Sequence, residues 1–121
     1  DEHTISQLQR APEQVHVERD LRRYVTAVTR ATRDDQRVKA GVSPRGTQRL
    51  FEATRAYAAI QGREYATPDD VRHIAPEVLT HRLVLTADAR VNSVEKRDVV
   101  ADILDDLPVP TIDYQGQRSV A

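Results

Sequence analysis

Several residue types that often carry chemistry are absent from this sequence of 121 residues. It has no cysteine, which excludes disulfide bonds, thiolate metal sites and cysteine nucleophiles. It has no tryptophan and one phenylalanine, Phe51, which argues against an aromatic-lined ligand pocket or a base-stacking platform. The four histidines lack metal-ligand spacing, and no apolar run approaches the roughly 20 residues of a membrane span. We therefore expect no metal site, no membrane partner and a cytoplasmic location.

Methionine is also absent, even at position 1, which predicts a processed protein or a piece of a longer one. The net charge of −1 argues against a nucleic-acid partner but hides an asymmetry. Residues 10–55 contain eleven Lys/Arg against six acids, whereas residues 86–113 contain three against seven. Nearly all the basic residues are arginines, which are suited to phosphate but can also reflect genome composition.

Apolar residues at helical spacing predict an all-α fold, a small bundle of four to five helices. The predicted helices cover 18–33, 44–61 and 68–79, and Asn92 or Ser93 caps a last helix that ends near Leu107. Residues 3–11 form a short, weakly amphipathic segment before them. Pro76 should kink or split its helix, and 34–41 should be a polar loop. The β-prone run at 82–85 leaves room for one short β-hairpin.

The helix predicted at 44–61 begins in an unusual way. Ser43 is a good N-cap and Pro44 a good first residue, and both favour a helix start. The first turn contains Arg45 and no acid before Glu52, although a helix N-terminus disfavours a cation. An anion bound there, plausibly phosphate, would reverse that cost. The alternatives are that Arg45 pairs with a local carboxylate or extends into solvent.

Four short segments form a pattern: GVSPRG at 41–46, GREY at 62–65, TPDDV at 67–71 and LTHRL at 79–83. In this order and spacing they resemble the C-terminal helical lid of MoxR-type AAA+ ATPases, and less closely the lids of the magnesium-chelatase group. Gly46 departs from the pattern, because alanine is commoner there. We expect a lid domain over 1–85, a C-terminal extension with a helix packing on the lid over 86–110, and a flexible tail over 111–121.

The resemblance implies roles for particular residues. The arginine of its Ser-Pro-Arg motif is the sensor-2 residue, which reaches the γ-phosphate of ATP, and this maps onto Arg45, with Ser43 as an N-cap near the phosphate. ATP and Mg²⁺ would be held mainly by an N-terminal AAA+ α/β domain. Arg33 and Arg82 would be interface candidates toward that domain or toward neighbouring subunits of a ring, expected to be a hexamer. The implied work is remodelling of client proteins or insertion of a metal or cofactor.

The catalytic parts of such an ATPase are not in this sequence. It contains no Gly-x-x-x-x-Gly-Lys-Ser/Thr phosphate loop and no apolar strand ending in Asp-Glu to hold Mg²⁺. We therefore assign no catalytic residue and expect no ATP hydrolysis by this chain alone. The parent protein would be the ATP hydrolase.

Two other functions remain open on the sequence. The chain could be a helical protein-interaction module with no nucleotide role. The helices at 44–61 and 68–79, joined by a turn containing Gly62, could instead form a helix-turn-helix DNA reader. In that case Asp69 and Asp70 would face DNA phosphates, which is electrostatically unfavourable.

Overall fold

The computed structural model describes residues 11–112, which form five α-helices, two short strands and two single 3₁₀ turns. The weakly amphipathic segment predicted at 3–11 lies outside the described residues except for its last residue, and so does the predicted tail beyond residue 112. The helices are α1 (Arg19–Asp34), α2 (Pro44–Ile60), α3 (Pro68–Leu79), α4 (Ala87–Val91) and α5 (Lys96–Asp106). The strands are β1 (Val38–Ala40) and β2 (Val84–Leu85), and the 3₁₀ turns are Pro12–Gln14 and Thr80–Arg82. The prediction of a small, mainly helical bundle is confirmed.

Local capping explains why α2 and α3 begin and end close to the predicted residues. The Ser43 hydroxyl accepts a hydrogen bond from the backbone N–H of Gly46, and Thr67 and Asp70 form a reciprocal capping box at α3. Gly62 ends the α2 turn with a φ of 75°, a left-handed conformation that favours glycine. The bounds of α2 and α3 are therefore set by local sequence.

The core lies between α1, α2 and α3, and the contact between α2 and α3 is the most extensive. It contains four leucines that are almost completely buried: Leu21, Leu50, Leu79 and Leu83. Burying such a side chain contributes about 1.5–3 kcal/mol relative to leaving it exposed. Because α1 and α2 both contribute to this core, the segment between them is held in a fixed position at their junction.

The two strands pair across a long stretch of sequence. Val38 lies opposite Leu85 and Ala40 opposite Val84 in an antiparallel pair. Helices α2 and α3 lie between the strands in the chain, so the pair is not a hairpin of adjacent strands. The prediction that 34–41 is only a polar loop is wrong, because β1 forms there once β2 supplies hydrogen-bond partners.

The segment after β2 packs on the bundle. Its anchors are four buried residues of α5 that contact α1 and α3: Val99, Val100, Ile103 and Leu104. The predicted start at Asn92 or Ser93 is wrong, because α5 begins at Lys96. Asn92 instead caps the end of the short helix α4, which the sequence analysis missed.

Helix α3 continues past its internal proline. The predicted split at Pro76 is wrong, since the helix runs without interruption to Leu79. The carbonyl of Pro76 accepts hydrogen bonds from both the backbone N–H and the hydroxyl of Thr80. These two bonds stabilise the last turn on the C-terminal side of the proline.

Candidate functional site

The start of α2 is an open helix N-terminus. The Gly46 N–H donates to the Ser43 hydroxyl at 3.2 Å, and the Thr47 N–H donates to the Ser43 carbonyl at 2.9 Å. Pro44, the first helical residue, has no N–H to donate. The first turn contains no acid, and Ser43 and Arg45 are exposed. The positive end of the helix dipole is therefore not neutralised by an acid of its own first turn.

The Arg45 side chain has no partner within residues 11–112: it makes no hydrogen bond or ion pair there. One turn later Arg49 pairs with Glu52 at 3.2 Å. The sequence left open that Arg45 pairs with a local carboxylate, and the described part of the chain offers it none. Its guanidinium is available to an anion supplied from outside.

The start of α3 shows the opposite arrangement. Asp70 is buried, and each of its carboxylate oxygens accepts a hydrogen bond at 2.5 Å from the Arg63 guanidinium. The Thr67 N–H donates to the same carboxylate at 2.7 Å. Hydrogen bonding to Asp70 raises the pKa of Arg63, while burial opposes that shift. The start of α3 therefore already contains an anion, the Asp70 carboxylate. The first turn of α2 contains no acid and can accept an anion from a ligand.

The structure brings the other two predicted arginines to the same end of the domain. A Cβ built on Gly46 would lie 3.4 Å from Cδ of Arg82 and 2.4 Å from Cγ1 of Val42, so the Arg82 side chain passes over the first turn of α2. A Cβ built on Gly41 would lie 2.7 Å from Cα of Arg33. Arg33 and Arg82 are both exposed, so cationic side chains border both sides of the Ser43 turn.

Buried threonines, which the sequence analysis missed, fix this turn against α1. The Thr32 hydroxyl accepts the Val42 N–H at 2.9 Å and donates to the Thr29 carbonyl at 2.6 Å. The Thr47 hydroxyl donates to the Thr29 hydroxyl at 2.9 Å. Their spacing in the sequence indicates burial, because Thr29 and Thr32 lie on the face of α1 that also contains Val25 and Val28.

This arrangement suits one kind of chemistry. A negative group at the α2 start would meet the backbone N–H of Arg45, the positive end of the helix dipole and the Arg45 guanidinium. The described side chains at this site are the Ser43 hydroxyl and the Arg45 guanidinium, which can bind an anion through hydrogen bonds and charge. A phosphate is a suitable anion, because arginine binds it through several donors at once.

Comparison with known proteins identifies the class. A family model described as AAA lid domain matches residues 30–103, more than half of the chain. The chain therefore belongs to the AAA lid domain family. The match begins within α1 and reaches into α5, so it extends past the predicted domain boundary at residue 85, which stays a prediction.

Its relatives indicate a lid of the MoxR type. The chain is 34% identical over 103 residues to the YeaC protein of Bacillus subtilis, covering 85% of this chain and 32% of YeaC. It is 34% identical over 104 residues to Chaperone MoxR1 of Mycobacterium tuberculosis, covering 78% of this chain and 28% of that protein. It is 36% identical over 70 residues to Protein MoxR of Methylorubrum extorquens, covering 58% of this chain and 20% of that protein. The chain thus spans about a third or less of each of these relatives.

A solved structure supports the fold. A candidate ATPase from Cytophaga hutchinsonii superposes with a TM-score of 0.77 at 22% identity, over 83% of this chain and 33% of that one. No helix between residues 11 and 112 is long and apolar enough to cross a membrane. The cellular location stays a prediction.

Proposed function

We propose that this lid reads the nucleotide state of a MoxR-like AAA+ ATPase through Arg45. In the parent protein Arg45 contacts the γ-phosphate of ATP, and Ser43 caps the helix that points at it. Loss of that phosphate on hydrolysis removes the contact, and the lid then shifts as a rigid body. The observation that carries this proposal is the exposed Arg45 in the acid-free first turn of α2, whose side chain has no partner among residues 11–112.

The residues present fit one part of a nucleotide site. The α2 start suits a phosphate, whereas this chain has no phosphate loop and no Walker-type acid for Mg²⁺. We infer that an N-terminal α/β domain of the parent protein supplies both. Mg²⁺ bound there would neutralise phosphate charge, and the contribution of this chain is limited to binding the terminal phosphate and reporting its presence.

Arg33 and Arg82 serve as interface residues in this proposal. Their exposed side chains border the α2 start, so a domain or subunit that presents ATP to Arg45 would also meet them. The partner is the N-terminal domain or the next subunit of a ring, which we expect to be hexameric. We further propose that the ring remodels client proteins or inserts a metal or cofactor.

The test uses the parent ATPase that contains both domains. Arg45→Ala should lower kcat for ATP hydrolysis at least about tenfold, because a charge-assisted contact to the reacting phosphate is lost. Arg45→Lys should restore only part of the rate, because lysine keeps the charge but not the two-point geometry. Unchanged hydrolysis kinetics in Arg45→Ala would contradict the proposal.

Arg49→Ala is the matched control. Arg49 lies on the same helix one turn away, but it pairs with Glu52, so its loss should leave hydrolysis near the wild-type rate. Circular dichroism of the 121-residue variants should show unchanged helix content for both. An equal loss of rate in the two variants would mean that general surface charge, rather than the α2 start, matters.

A further inference from the structure

A second cationic surface lies along α1, apart from the Arg45 site. Four arginines on this helix, Arg19, Arg22, Arg23 and Arg30, line a groove of about 350 Å³. Arg22 is held by stacking over the Phe51 ring, 4.8 Å from its centroid. Nothing in the proposed nucleotide role uses these side chains.

Little in the described part of the chain neutralises this groove. Within residues 11–112, the side chains of Arg19 and Arg30 make no ion pair or hydrogen bond. Arg23 approaches Asp20 at 3.9 Å, and both side chains are more than half exposed. Such an exposed pair contributes little attraction, so the groove keeps a strong positive charge.

An apolar groove adjoins it. A second cavity of about 340 Å³ lies between α1 and the segment after α5, and it shares Arg23 and Ala27 with the first. Its wall is formed by Tyr24 and the stretch 107–110, Leu-Pro-Val-Pro. Val109 is 47% exposed although it is apolar. The positive groove and the apolar groove therefore lie side by side along the same helix, on either side of Arg23 and Ala27.

We infer that this joined groove is a docking site for a protein segment that has acidic side chains beside apolar ones. The acids would pair with Arg19, Arg23 and Arg30, and the apolar residues would cover Val109 and its neighbours. Charge complementarity favours acidic side chains in the partner, and the adjoining apolar wall favours apolar side chains beside them.

The apolar half is what separates this partner from a nucleic acid. Nucleic-acid backbones are recognised by donors to phosphate along the whole contact. Residues 107–110 offer no side-chain donor, two of them are prolines that lack an N–H, and Asp20, which lines the apolar groove, would repel phosphate there. Only a chain with both kinds of side chain can satisfy both halves.

The experiment measures binding to the 121-residue chain by fluorescence anisotropy. The probe is a labelled peptide of about eight residues alternating Glu with Leu, which when extended matches the roughly 24 Å length of α1. Two matched peptides replace either Glu by Gln or Leu by Ser. A duplex DNA is the fourth probe, and analytical ultracentrifugation of the chain alone tests a second copy as the occupant.

Variants locate the binding. Arg19→Glu with Arg30→Glu should weaken the Glu-Leu peptide at least about tenfold, and Val109→Asp should do the same from the apolar side. Lys39→Glu with Arg90→Glu makes the same charge change at exposed positions away from the groove and should leave affinity unchanged. If the arginine double variant loses helix content, Val109→Asp still tests the site, because Val109 lies beyond α5.

Preference for the Glu-Leu peptide over both matched peptides, lost in the groove variants alone, would support the inference. It would be overturned if the peptide does not bind, if the Leu→Ser peptide or DNA binds equally well, or if the groove variants have no effect. Self-association of the chain that the groove variants abolish would also overturn it.

Discussion

The carboxylate of Asp70 is fully engaged by the guanidinium of Arg63, seven residues earlier in the chain. The loop between these two residues contacts the segment that precedes α1. The His16 N–H donates to the Glu64 carbonyl, and the His16 carbonyl accepts from the Ala66 N–H. The Arg63–Asp70 pair therefore fixes the loop that the segment before α1 contacts. This loop follows the C-terminal end of α2, whereas Arg45 lies at its N-terminal end. Helix α2 connects these two places as a rigid rod about 25 Å long.

Asp70→Asn should destabilise the domain by about 2 kcal/mol, because it leaves a partly buried guanidinium without its counter-ion. Urea unfolding followed by circular dichroism measures this change. Asp69→Asn is the matched control, since it also removes an acid from the first turn of α3 but at an exposed position. Equal losses in the two variants would show that the helix dipole, rather than Arg63, accounts for the effect.

Thr32→Val should loosen the start of α2. It removes the oxygen that accepts the Val42 N–H, and Val42 is completely buried, so that N–H has no water to replace the lost partner. An unsatisfied buried donor costs about 1–3 kcal/mol. Hydrogen exchange at the Val42 amide should accelerate more than exchange in α3.

Thr26→Val provides the comparison for this prediction. Thr26 is exposed on the same helix, and its hydroxyl donates only to the Arg22 carbonyl of its own helix. This variant should leave exchange at Val42 unchanged. Similar acceleration in both variants would show that α1 as a whole is destabilised and that Thr32 has no special role.

Features that depend on residues close together in the sequence could be predicted, whereas features that depend on distant residues could not. The caps at Ser43 and Thr67 act within three residues, so α2 and α3 were predicted closely, and the charge pattern of the α2 start marked Arg45. Strand β1 was missed because its partner β2 lies 44 residues later. Arg82 could be identified as an interface candidate from the family pattern, but not as a neighbour of Gly46.

The wrong start of α5 has a local cause. Asn92 and Ser93 are residue types that cap helix starts, yet asparagine also ends helices and tolerates turn conformations. Here Asn92 caps α4, and Ser93 adopts a positive φ of 59°. The threonines of α1 were missed for a similar reason, since threonine side chains are usually exposed and only packing shows that Thr29 and Thr32 are buried.

Acid should weaken the junction that docks α5 on the bundle. Arg37 hydrogen-bonds both oxygens of Asp35 and also Asp102 of α5 at 2.7 Å. The side-chain hydrogen bond from Arg37 lowers the pKa of Asp35 below its ordinary 3.8, although burial opposes the shift. The stabilisation from Asp35 is therefore complete above about pH 4 and is lost as the pH falls through the lowered pKa.

Urea unfolding at pH 7 and pH 3 checks this dependence. Asp35→Asn should be less stable than the wild type at pH 7, and the difference should shrink at pH 3. Asp34→Asn, which changes the exposed acid next to it, should show no such convergence. A constant difference between wild type and Asp35→Asn at both pH values would contradict the assignment of the lowered pKa to this contact.

The central claim is that Arg45 senses the terminal phosphate, and the ratio of ATP affinity to ADP affinity tests it most directly. In the parent ATPase, equilibrium binding of both nucleotides is measured for the wild type and for Arg45→Ala, with a hydrolysis-deficient background to keep ATP intact. The account predicts that Arg45→Ala weakens ATP binding at least about tenfold and leaves ADP binding unchanged, because only ATP has the γ-phosphate. Equal weakening of both nucleotides, or no change in either, would contradict it.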